Sequence, residues 1–214
     1  MVKRVRAVAS GVFLAAAFSC GAHADIIFSA TPSGTGDNVV FNEQPANQSG
    51  TTVFGNINNP ADTLVTLTSN ETLVTPAGGQ ALVQATDNTL SLLQISLAAA
   101  GTGFDSFVAD LNSPNGTTGT ATITATNQFN QTETFSLALG SGSNFFTLTT
   151  DALQFLTSVQ ISSTVGLLDV RQIRLGEVQA VPGPIAGAGI PGLLAACVGL
   201  IGLARRRRRR LLGL

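Results

Sequence analysis

The chain has 214 residues, 44% of them apolar, with eleven Lys and Arg against twelve Asp and Glu and a formal net charge of −1. Nine of the eleven cations sit in the first six residues or among residues 205 to 210, so from Asp25 to Gln179 only Arg171 and Arg174 stand against all twelve carboxylates, a side-chain charge of −10. The same stretch contains no Lys, His, Cys, Met, Trp or Tyr. That excludes Ser-His-Asp and Cys-His relays, Schiff bases, His/Cys zinc sites, haem and iron–sulfur ligation, and leaves carboxylate pairs as the one enzymatic option.

At the N-terminus Lys3, Arg4 and Arg6 precede a short Ala-rich apolar stretch from Val8 to Phe18, and Ala22-His23-Ala24 is a small-x-small site before Asp25. This order is that of a secretory signal peptide, residues 1–24, cut by signal peptidase after Ala24. A lipoprotein cut before Cys20 lacks the expected upstream Leu in Ala17-Phe18-Ser19. The exported body, 25–179, has no cysteine for a disulfide and must fold on its core. About 155 residues suffice for one domain.

Within the body the apolar residues recur with period two. Thr120-Ala121-Thr122-Ile123-Thr124-Ala125-Thr126 alternates cleanly, and Phe135, Leu137 and Leu139 repeat the pattern, as half-buried antiparallel strands do. Further strands are expected at Val39 to Phe41, Thr51 to Ile57, Thr63 to Thr68, Gln80 to Thr86, Thr89 to Leu97, Phe104 to Asn112, Asn144 to Thr149, Leu156 to Ser163 and Asp169 to Glu177. Turn signals such as Asp87-Asn88, Gly101-Thr102-Gly103 and Pro114-Asn115-Gly116 divide them. Asp151 to Leu156 is the best helical candidate. Many short strands so spaced predict an all-β, antiparallel β-sandwich of two packed sheets, jelly-roll-like in arrangement.

Candidate ligand positions are few. Asp110-Leu111-Asn112 puts two oxygen-bearing side chains on one strand face, and Asn56, Asn58, Asn59 and Asp62 surround a loop, so calcium is the one cofactor these residues admit. Neither set matches an EF-hand loop, and turn formation or a solvated sheet face explains both. No Asp-Thr-Gly or Asp-Ser-Gly marks an aspartic dyad: Asp62-Thr63-Leu64 and Asp105-Ser106-Phe107 lack the glycine. Arg171 shares strand parity with Ile173 and Leu175, which aims it at the core unless it lies at the sheet margin or a bulge intervenes. As the only cations of the body, Arg171 and Arg174 are each expected to pair with a carboxylate.

The tail is the most specific segment. Val181-Pro182-Gly183-Pro184 follows the body, and Ile185 to Ala204 then runs without a charged side chain. At 1.5 Å per residue that run spans roughly 30 Å, one bilayer core. Arg205, Arg206, Arg207, Arg208, Arg209 and Arg210 form a block that holds its end on the cytoplasmic side, so the arginines are a topology signal and nucleic acid is not an expected partner. The order Pro-x-Pro, single span, arginine cluster resembles the PEP-CTERM sorting signal of Gram-negative bacteria, in its Val-Pro-Gly-Pro-Ile-Ala-Gly-Ala-Gly variant, with Gly183 where the namesake has Glu. The resemblance covers about residues 181–210. It divides the chain into signal peptide 1–24, body 25–179, linker and sorting motif 180–184, transmembrane helix 185–204 and cytoplasmic tail 205–214.

The resemblance implies handling by an exosortase, a membrane cysteine transpeptidase acting near Pro182-Gly183-Pro184, with transient anchoring in the inner membrane through residues 185–204. Delivery to the cell surface or the extracellular space would follow, typically in bacteria that make extracellular polysaccharide and biofilm. The expectation is a non-enzymatic surface or matrix protein without a resident cofactor. The alternative is a carbohydrate-binding module using Phe faces and Asn/Asp hydrogen bonds, with or without calcium, and a carboxylate-only glycosidase is a distant third.

Overall fold

The computed structural model describes residues 26–33, 36–41, 47–57, 60, 63–75, 82–151, 154–181 and 200. Fourteen strands follow in chain order: β1 (Ile26–Ser29), β2 (Asp37–Asn38), β3 (Ser49–Ile57), β4 (Thr63–Val74), β5 (Leu82–Ala85), β6 (Leu90–Leu97), β7 (Thr102–Phe104), β8 (Ser106–Ser113), β9 (Gly119–Asn127), β10 (Thr132–Leu139), β11 (Gly142–Thr150), β12 (Leu156–Leu167), β13 (Asp169–Leu175) and β14 (Val178–Ala180). The all-β expectation holds. Asp151 to Leu156 does not continue a helix among its described residues, because Gln154 N–H closes a turn on the Asp151 carbonyl at 3.0 Å and Leu156 opens β12.

Every pairing is antiparallel, and the ladders join into one sheet that nearly closes into a barrel. One wing runs β1-β11-β8-β13, and the other runs β3-β4-β6-β12-β9-β10. β5 joins them, pairing with β13 through Val83 and with β4 through Ala85 and Gln84. Alternation decides which side chains meet inside. Ala121, Ile123 and Ala125 of β9, Leu93 and Ile95 of β6, and Val159 and Ile161 of β12 are at most 1% exposed, while the threonines and glutamines between them face out.

Opposite β5 the wings meet without a ladder. Phe28 of β1 stacks on Phe135 of β10, ring centroids 5.2 Å apart and planes 11° from parallel. The rings continue through Phe146, Phe107 and Phe104 at centroid distances of 6.2, 5.7 and 6.2 Å. Ile26 N–H also donates to the Glu133 carboxylate across this seam at 3.3 Å. A second crossing lies at Asp105, where β7 turns into β8. The Asp105 carboxylate accepts Glu177 N–H at 2.9 Å and its carbonyl accepts Thr150 N–H at 3.0 Å, which explains why the single expected strand from Phe104 to Asn112 is two.

Edges need guarding in a body without lysine. On β3 the Gln48 side chain takes the place of a neighbouring strand: its amide nitrogen donates to the Phe54 carbonyl at 2.5 Å and its oxygen accepts Phe54 N–H at 2.6 Å. Val40 pairs with Asn56 one step further on. Tight turns follow the sequence signals. Asn88 and Asn130 adopt φ of 58° and 59°, and Thr89 donates to the Asp87 carboxylate, whose pKa is lowered by these hydrogen bonds.

Two substitutions test this account of closure. Phe146→Ala removes the middle ring of the row, between Phe28 and Phe107, and lowers unfolding free energy by about 3–5 kcal/mol in urea titration; a loss under 1 kcal/mol would mean that the row does not hold the seam. Gly176→Ala places a methyl group onto the Asp105 carboxylate and Ser106 hydroxyl, and costs about 1–3 kcal/mol by the same titration.

Candidate functional site

β8 and β13 lie side by side, so Asp110 faces Arg171 and Asn112 faces Asp169 in register. Arg171 avoids the core through a bulge. Gln172 takes φ 51° and the register shifts between Arg171 and Arg174, so Val170 and Ile173, three apart, both point inward at 0% exposure. The extra residue turns Arg171 outward, over Asp110.

The resulting network is tightly committed. Arg171 Nε lies 2.9 Å from Asp110 Oδ2, and its Nη2 donates to Ser143 Oγ at 2.9 Å. Asp110 Oδ1 accepts Asn144 N–H at 2.9 Å, so both oxygens of this fully buried carboxylate are occupied. Asn112 Nδ2 donates to Asp169 Oδ2 at 2.7 Å, and Asp169 Oδ1 stands 3.8 Å from Arg171 Nε without a hydrogen bond. The guanidinium thus sits between two carboxylates and serves both. Arg174 departs from expectation: its Nε donates to the side-chain oxygen of the neutral Asn38 at 3.0 Å, because the register sets Asn38 opposite it and Asp37 opposite Leu175.

Asp110 and Asn112 do share a strand face, but a cation at Asp110 would have to displace Arg171 first. Of the second calcium candidate, Asn56 is described and is 3% exposed with its Oδ1 unpartnered; Asn58, Asn59 and Asp62 lie outside the described residues. Among the described residues no cluster of three or more His, Cys, Asp or Glu could hold a metal.

β14 is the last strand before the expected sorting motif. β14 pairs with β7, Ala180 opposite Thr102, and Val181 N–H donates to the Gly101 carbonyl at 2.7 Å. The sheet thus carries one residue past the expected boundary at Gln179. Beside this exit an open groove of about 490 Å³ is lined by Leu64, Ala98, Thr102, Val178 and Ala180 among others. Ala22, Ala24 and Asp25 of the expected signal cleavage site, Pro182, Gly183 and Pro184 of the expected sorting motif, and Arg205 to Arg210 lie outside the described residues, as does nearly all of the expected span.

Removing the Arg171 guanidinium strands Asp110 in the sheet. Arg171→Ala is expected to cost about 2–3 kcal/mol, since the arginine side chain is 35% exposed and the aspartate 1%. Arg174→Ala costs under about 0.5 kcal/mol, and equal losses in chemical denaturation would refute this asymmetry. No known family, curated protein or solved structure matches the chain.

Proposed function

We propose that this protein is exported, held briefly in the inner membrane by residues 185–204, and transferred by an exosortase-type transpeptidase to the cell surface. There its β-body is a non-enzymatic component of the extracellular polysaccharide layer. The observation that carries this reading is the three-part tail, Val181-Pro182-Gly183-Pro184, apolar run and Arg205 to Arg210. Its Pro-Gly-Pro element follows the last sheet hydrogen bond by one residue. A processing site placed there can be reached without opening the body.

The non-enzymatic part rests on chemistry. The body lacks His, Cys and Lys, and among the described residues the Asp110 and Asp169 carboxylates are bridged by Arg171 on a sheet face. A glycosidase needs one free acid and one free base across a cleft. In this reading the two wings are the packed halves of a jelly-roll-like sandwich, with β5 and the phenylalanine row as its margins. A second reading, a carbohydrate-binding module, draws on the exposed uncharged face of the longer wing and does not need calcium.

Deleting the exosortase-type gene of the host cell tests the proposal. The chain should then accumulate in the inner membrane and vanish from the surface fraction, and a Pro182→Ala, Pro184→Ala double variant should behave alike in the parent cell. Unchanged surface amounts in both would contradict the sorting reading.

A further inference from the structure

The body's charges avoid one large surface. On the wing β3-β4-β6-β12-β9-β10 the register aligns outward side chains in three rows, two of which cross every strand. One row is Thr52, Thr68, Gln94, Gln160, Thr124 and Thr134. The row on one side runs from Phe54 through Ser96 to Thr132, and on the other Leu92, Ser162, Thr122 and Ser136 stand in line. None is charged, in a body of side-chain charge −10.

The face is regular and largely uncommitted. At about 4.8 Å between strands and about 6.7 Å between same-face residues, the two full rows cover roughly 24 Å by 7 Å, and the third widens the face to roughly 13 Å over the four strands from β6 to β10. The Thr124 and Thr134 hydroxyls touch each other at 3.4 Å, whereas among the described residues the exposed Gln94 and Gln160 amides make no hydrogen bond within the chain. Phe54, 43% exposed, presents a ring at the β3 margin, its backbone fixed by Gln48.

We propose that this face docks an extended, neutral polysaccharide. Charge decides against the other polymers: an anionic chain is repelled by the acidic body, and a cationic one is drawn to the carboxylates elsewhere. A hydroxyl-rich neutral chain matches rows of hydroxyls and amides, each contact weak and each repeated along the polymer. Phe54 adds an apolar surface for a sugar face. The rows could instead order water as ice does. Adjacent strands rotate by about 20 to 25°, however, so six accumulate a twist of roughly 100°, which a flexible chain follows and a rigid lattice does not.

This inference rests on the reading of a polysaccharide-layer protein, and its test is independent of the tail. The protein isolated from its cells is run in affinity electrophoresis through neutral mixed-linkage β-glucan, dextran or anionic polygalacturonate. Retardation by a neutral glucan and not by polygalacturonate is expected. Gln160→Lys and Thr124→Lys should weaken it at least tenfold, and Gln160→Ala, which adds no charge and keeps the fold, severalfold. Ile27→Lys, on an exposed position of the other wing, should leave it unchanged. The proposal is overturned by retention that survives Gln160→Lys and Gln160→Ala, by retention in polygalacturonate alone, by no retention in any gel, or by faceted growth of ice in the protein's presence. Each of these leaves tail processing untouched, so failure of the docking face and failure of the sorting reading are separate results.

Discussion

Closing a sheet without a covalent tie is the constraint on which this molecule depends. The body has no cysteine and no lysine, so neither disulfides nor a fringe of cations can hold its margins. Five phenylalanine rings in sequence, from Phe135 through Phe28, Phe146 and Phe107 to Phe104, fasten the wings where no ladder does. Their stacking is non-directional compared with hydrogen bonds. It therefore tolerates the twist that brings β1 and β10 together out of register.

Closure of that kind sets where charge can go. Inside, the core is aliphatic and aromatic; at the margins, carboxylates are spent on backbone donors, as Asp105 is on Glu177 and Glu133 on Ile26. Within the shorter wing Arg171 stands between Asp110 and Asp169. What remains is the longer wing's outer face, whose rows hold threonine, serine and glutamine with Phe54 and Leu92 and no charge. An acidic protein with a neutral plane has a surface fit for a neutral polymer, and its acidic remainder keeps copies apart.

Strand alternation was legible where burial is one-sided. Thr120 to Thr126 reads correctly because every second residue faces water, and Leu93 to Leu97 of β6 follows the same rule, whereas β11 buries Phe146, Thr147 and Leu148 in succession. β1 was missed: Ile26-Ile27-Phe28 does not alternate in hydropathy, although Ile26 is 3% and Ile27 51% exposed. The break at Asp105 was hidden too, since a corner made by a carboxylate accepting a backbone N–H 72 residues away leaves no local signal. For Arg171 the sequence supplied the conflict and its remedy, a bulge, but not the position of Gln172. The rows of the outer face depend on register between strands distant in sequence, which no local pattern encodes. The tail, by contrast, is read from order and length alone, and its residues carry the sorting account.

The intact mass of the surface-exposed form tests that account most directly. A chain beginning at Asp25 and ending near Pro182, with or without an added group, is the predicted result. A mass that retains Arg205 to Arg210 on the surface form would contradict it.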